Sequence, residues 1–233
     1  EFCHACLLFK PNFSILDTCP ILFRRPYTMS DTRSQFIAAG FKLYPQHGYR
    51  KLSVRMLAAE AGLSAGMFHH LFADKDAFVG EVLQSHHERS FGLLDFDAAA
   101  KGDAVAQLRY AVWLLATCFR DNLAWVHRAY ADSADGVEVV NTFMRRNFEQ
   151  TFERLQALLE ACPGQSNPAE QVQRLSYLSG AVLAPMALGT RFDEMGVLPA
   201  AMSHHIGEIV SDAAIARRID WAFAALFPAQ EAV

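Results

Sequence analysis

Between Leu52 and Phe72 the chain reads LSVRMLAAEAGLSAGMFHHLF, and this stretch constrains the fold more than any other. Val54, Leu57, Ala58 and Ala61 recur at the i, i+3, i+4, i+7 spacing of a helix with one buried face, and Ser53 precedes them as an N-cap. The predicted helix is short, about two turns. Gly62 then supplies a residue that takes the left-handed conformation without a Cβ penalty, so that Leu63 can fold back onto the apolar face. Ser64 is placed to cap a second helix, with Met67, Phe68 and Leu71 inward and Ala65, Gly66, His69 and His70 outward. Two short helices joined at a glycine turn make a helix-turn-helix, a motif whose second helix enters the major groove of DNA.

The surrounding residues carry a resemblance. Phe36, Ala38, Ala39 and Phe41 lie on a first helix, followed by His47-Gly48-Tyr49, Ser53-Val54-Arg55, Ala58-x-x-Ala61-Gly62-Leu63-Ser64, Gly66, Phe72 and Lys75-Asp76. In that order and without gaps, residues 33–83 resemble the DNA-binding domain of the TetR family of bacterial transcriptional regulators. The resemblance covers about a quarter of the chain and continues past residue 90 only as an all-helical pattern. It implies an all-α fold, with an N-terminal three-helix helix-turn-helix domain followed by a larger C-terminal bundle for ligand binding and dimerisation. It further implies a cytoplasmic homodimer on a palindromic double-stranded DNA operator. Such a protein acts as a repressor released by a small-molecule effector, and no cofactor is expected.

Site residues follow from the same resemblance. Ser53 and Arg55 are expected near the DNA backbone, Ser64 and Ala65 at the N-terminus of the recognition helix against a phosphate, and Lys75 on another phosphate. Ala65, Gly66, Met67, His69 and His70 are the candidates for base contact. The family usually has a phenol where His69 stands, and no Arg, Asn or Gln is available here for a bidentate base contact. The operator sequence therefore cannot be read from this helix.

Charge is distributed in keeping with one DNA-facing end. The net charge is −4, yet Arg33, Lys42, Arg50, Lys51, Arg55 and Lys75 face only Glu60 and Asp74 between residues 33 and 75. Residues 91–233 carry 11 basic and 17 acidic side chains, so a positive head sits on an acidic body. With 233 residues and 52% hydrophobic content the chain can bury a sizeable core.

Residues 1–28 read differently from the rest: Pro11, Pro20 and Pro26 interrupt every potential helix, and no secretory signal pattern is present. Met29 is the expected natural start, with the leader a non-native addition. Cys3-x-x-Cys6 is half of a metal site at most, and a reduced compartment is the default for the five cysteines. The expected division is a leader over 1–28, a DNA-binding domain over 29–76, a connecting helix over 77–94 and a ligand-binding and dimerisation domain over 95–233.

Helices are predicted from Asp31 to Tyr44, where Pro45 ends the first, and from Asp74 to about Leu93. Further helices are predicted to begin at Ala104, at Ala124 and at Val137. Another opens at Pro168 and runs to about Gly189, and a final helical region from Pro199 to Phe227 is broken near Asp212. Ser176, Gly180 and Ala184 recur every four residues, which would let a partner helix approach closely. The two C-terminal helices are expected to form the dimer face.

Other chemistry is poorly supported. Gly62-Leu63-Ser64-Ala65-Gly66 spells G-x-S-x-G, but that nucleophile elbow needs a strand before the serine, and a helix precedes it here. The pairs His69-His70, His86-His87 and His204-His205 diverge by about 100° on a helix and cannot chelate one ion alone. No metal site is expected. For the effector, Trp113, Trp125, His127 and Tyr130 are the candidate pocket residues, with Arg109, Arg128 and Asp132 nearby in sequence.

Three function classes remain, with the ligand-responsive regulator leading. A DNA-binding regulator governed by a protein partner, or constitutive, would have a solid C-terminal bundle without a cavity of several hundred Å³. An enzyme has no supporting motif.

Overall fold

The computed structural model describes residues 32–92, 94, 103–164 and 167–228. The leader, with Cys3-x-x-Cys6 and the expected start at Met29, lies outside the described residues. Among those described the fold is all-α, with no strand. The head is α1 (Thr32–Lys51), α2 (Val54–Ala61) and α3 (Ala65–Leu71), and α4 (Lys75–Ser90) leads to the body. The body comprises α5 (Ala104–Asp121), α6 (Leu123–Ala134), α7 (Glu138–Glu160), α8 (Pro168–Val182) and α9 (Ala184–Glu194). Two single-turn pieces, α10 (Ala200–Ser203) and α11 (Ile206–Ile209), precede α12 (Asp212–Leu226).

Local signals place most of these boundaries. Ser53 Oγ accepts from Met56 N at 3.3 Å and Asp74 Oδ1 accepts from Ala77 N at 2.7 Å, so α2 and α4 begin on side-chain caps. Gly62 closes α2 at φ +68°, and Leu63 N reaches back to Ala58 O at 2.9 Å. Ser64 stands in the N-cap position of α3, but its hydroxyl makes no capping bond.

Three predicted boundaries are corrected. The first helix does not stop at Tyr44: it runs through Pro45 to a kink at Gly48, where φ is +68°. Proline forfeits its own N–H bond there, and docking against α6 compensates, with Arg128 Nε donating to Pro45 O at 3.3 Å. The predicted helix from Pro168 is two helices, divided at Leu183 just before Pro185. The fourth helix ends at Ser90 rather than near Leu93.

Two buried clusters organise the molecule. The first centres on Phe36, Tyr44, Phe68 and Phe78, and also takes in Ala129 of α6 with Val137 and Val140 at the start of α7. The helices of the head thus share one core with the body. The second joins Leu108, Ala116, Leu178, Val182, Ile215 and Phe223 from α5, α8 and α12.

Candidate functional site

Phe68 fixes how α3 is presented. It is 1% exposed, edge-on to Phe36 at 5.5 Å between centroids and 5.2 Å from Phe78, so the rest of the helix must turn outward. Ala65, Gly66, His69 and His70 are all exposed, as are Ser53, Arg55 and Ser64. Met67, expected inward from its apolarity, is 39% exposed and joins the outer face, because a seven-residue helix has room for little more than one buried stripe. The α3 surface is therefore polar only through its histidines and the Ser64 hydroxyl.

Several basic residues of the head hold structure rather than stand open. Arg33 clamps the Glu81 carboxylate through Nε and Nη2, donates through Nη1 to Leu71 O at 2.8 Å, and lies over the Phe72 ring, tying the end of α3 to α4. Lys42 pairs with Glu60 and Arg50 with Asp135. The Lys75 ammonium sits 4.3 Å from the centre of the Tyr49 ring, where desolvation lowers its pKa despite Asp76 and Asp132. The Tyr49 hydroxyl donates to Asp76, which pushes that phenol up to about 12. Lys51 and Arg55 are exposed.

At the seam between head and body, Asp132 is 3% exposed and accepts from Tyr49 N at 2.8 Å. A Cβ on Gly48 would come within 2.8 Å of that carboxylate and 2.7 Å of Arg128 Cδ, so only glycine lets the chain pass so near α6. Beside it, Trp125 packs on Tyr44 and Phe41 of α1, with centroids at 5.3 and 6.2 Å, and stacks on His86 of α4. Burial, then Arg89 and His87, push the His86 imidazole down to about 4.

The other edge of Trp125 faces a cavity of about 650 Å³ that α4 through α9 border and that is partly open to solvent, where Phe148 and Leu188 are exposed. Its walls are mostly apolar and aromatic, including Phe143, Phe148 and Phe152 of α7, and no Asp, Glu, Lys or Arg lines it among the described residues. Of the four candidates from sequence, Trp125 and Tyr130 line this space. Trp113 packs against the second core instead, and the His127 ring lies behind the wall, its Nε2 2.9 Å from Ala187 O. Ser176, Gly180 and Ala184 line the cavity too, and no atom lies within 4 Å of where a Gly180 Cβ would stand. Ser176 and Gly180 are exposed, so the small-residue stripe borders open space along α8. The α7 residues Phe143, Asn147, Phe148, Thr151 and Phe152 escape sequence reasoning, because their helical spacing, though visible there, does not separate a cavity wall from a core.

No group of three or more metal-ligating side chains occurs among the described residues, and no helix there is long and apolar enough to cross a membrane. Residues 36–82 match the family model described as bacterial regulatory proteins, tetR family. No curated relative matches the sequence. Among solved structures, one described as a TetR-family transcriptional regulator from Mesorhizobium loti aligns at 14% identity, covering 83% of this chain and 96% of that one, with a TM-score of 0.59. A TetR-like regulator from a Rhodococcus species aligns at 16% identity, with 88% and 100% covered and a TM-score of 0.57. A transcriptional regulator from Saccharomonospora viridis, solved in complex with choline, aligns at 15% identity, with 78% and 96% covered and a TM-score of 0.55.

Proposed function

We propose a function from one premise: the chain belongs to the TetR family of bacterial transcriptional regulators, DNA-binding proteins rather than enzymes. In our reading it is a homodimeric repressor that leaves a palindromic operator when a small molecule occupies the cavity. Residues 29–76 read DNA, 77–94 connect, and 95–233 hold the ligand and the dimer face. Ser53, Arg55, Ser64 and Lys75 touch phosphate, while Ala65, Gly66, Met67, His69 and His70 meet base edges.

The observation that carries this reading is the position of Trp125. One side chain borders the cavity and bears on both α1 and α4 of the head, so a ligand that displaces it has a direct mechanical route to the recognition helices. Two such helices must meet half-sites about 34–36 Å apart or a multiple of that, and a small rotation of each head spoils the match. The effector must favour the DNA-free form, each tenfold drop in operator affinity requiring about 1.4 kcal/mol of preference. The cavity argues against a regulator with a solid bundle that answers only to a protein. For the dimer face, α8 and α12 pack together and expose Val172, Tyr177 and Trp221, the last 65% exposed.

Light scattering combined with a mobility-shift assay on the DNA upstream of its own gene tests the proposal. The expected result is a dimer that retards that DNA specifically. A monomer, or a protein indifferent to this DNA, overturns it.

A further inference from the structure

We infer that His69 and His70 meet DNA as imidazolium ions, so that operator binding takes up protons and tightens as the pH falls. This rests on the reading of α3 as the recognition helix and adds a second input, acidity, to the one that the cavity provides.

The helix has no other means of presenting charge. Between Ala65 and Leu71 it carries no Lys, Arg, Asp or Glu, and the two imidazoles are its only titratable groups. Both residues are exposed, and neither ring makes a hydrogen bond or an ion pair with another described residue; His69 only meets the edge of the buried Phe68 ring, at 5.6 Å between centroids. Neighbouring positions on a helix diverge by about 100°, so the two rings address separate acceptors on the duplex.

The elements around α3 supply cations but no spare anion. The charged groups of α2 are Arg55 and Glu60; α1 brings Arg33 and Lys42, with His47, Arg50 and Lys51 towards its end. The turn after α3 and the start of α4 bring Asp74, Lys75, Asp76 and Glu81, and α4 runs on to His86, His87, Glu88 and Arg89 about three turns later. Each of the four carboxylates nearest in sequence is engaged elsewhere. Glu60 holds Lys42 at 2.6 Å, Glu81 is clamped by Arg33, Asp74 caps α4 at Ala77 N and Asp76 accepts from the Tyr49 hydroxyl. In the free protein an imidazolium on α3 therefore has no counter-ion of its own. On DNA the balance reverses, because the duplex carries one negative charge per ~1.7 Å of axis. An imidazolium also donates from both ring nitrogens, where the neutral ring donates from one. A group whose charged form DNA favours takes up a proton on binding, and by linkage affinity rises as the pH falls. Burial pushes His86 down to about 4 and lowers His87 as well, which sets the imidazoles of α4 apart from this effect.

The test titrates the full-length protein against the DNA upstream of its own gene by fluorescence anisotropy, from pH 8 to pH 6 at constant ionic strength. Affinity is expected to rise roughly tenfold across that interval, which brackets the ordinary imidazole value of about 6.5. The double variant His69→Gln, His70→Gln is expected to bind like the wild type at pH 8 and to lose the rise, whereas His47→Gln keeps it. Calorimetry of the wild type in two buffers of different ionisation enthalpy counts the protons without recourse to any variant, and a net uptake is expected. A pH-independent affinity, zero uptake, or a slope that survives in the double variant overturns the inference and leaves the operator reading standing. The same series on random DNA distinguishes the acceptors, and either sustains the inference: phosphate gives an equal slope on both DNAs, a guanine edge a slope confined to the operator. If the protein binds DNA at no pH, the reading of α3 falls together with this inference.

Discussion

The His86 imidazole and the Trp125 indole lie face to face, with ring centroids 3.7 Å apart and planes 18° from parallel. This stack joins α4, which leaves the head, to α6, which borders the cavity, in surroundings where burial disfavours the charged imidazole. The folded chain keeps His86 unprotonated down to about pH 4, whereas the unfolded chain takes up the proton near the ordinary value of 6.5. Between those values the unfolded state binds more protons, so stability falls as pH drops from 6.5 to about 4 and levels off below. Allowing for partial solvent access, the loss is on the order of 2 kcal/mol. Urea unfolding at pH 7 and pH 5 should show the decline in the wild type and a smaller one in His86→Phe, which keeps a ring but cannot titrate.

Asp132→Ala removes the acceptor for the Tyr49 N–H at the seam. A buried donor left alone costs about 1–3 kcal/mol, and the end of α1 would lose its anchor on α6. The melting temperature should drop, and operator affinity should weaken even without ligand. An unchanged melting temperature would mean that the head is held by other interactions.

Arg55→Ala should weaken binding to operator and random DNA alike and lessen the salt dependence of log K by about 0.9 for each phosphate the protein ceases to neutralise. Lys75→Ala should do the same and, in addition, uncover the Tyr49 ring on which the ammonium rests. Filter-binding isotherms at several salt concentrations distinguish this from base readout, where the weakening would be confined to the operator. Changes at Met67 or Ala65 should instead alter which sequence is preferred.

Gly180→Leu places a side chain where the cavity is open and replaces a helical glycine in the last turn of α8. The helix gains roughly 0.5–1 kcal/mol from the propensity change, while the new side chain takes up ligand space. The variant should melt at or above the wild-type temperature, bind DNA normally and no longer take up cavity-sized apolar probes. Unimpaired probe binding would place the ligand elsewhere.

The head is legible in the sequence because its signals are local. Ser53, Gly62 and Asp74 act within four residues of themselves, so their roles as caps and terminators can be read from neighbours alone. The course of α1 beyond Pro45 cannot, since it depends on Arg128 and Asp132, more than eighty residues away. The cavity is legible only in part for a similar reason. Trp113 and Trp125 both read as aromatic residues on helices, and which of them borders the open space is decided by how α6 docks on α1. Pro185 does carry a local signal for the break between α8 and α9, as a first-turn proline, and the longer apolar run across it conceals that.

Ala129, Val137 and Val140 sit in the same buried cluster as Phe36 and Phe78. The head is accordingly no interchangeable bead on a string. Grafted onto another regulator's body, it would arrive with an unroofed Tyr44 and a bare glycine corner. An engineered chimera of this protein should therefore keep α6 and the first turns of α7 together with the head, and make its splice beyond them.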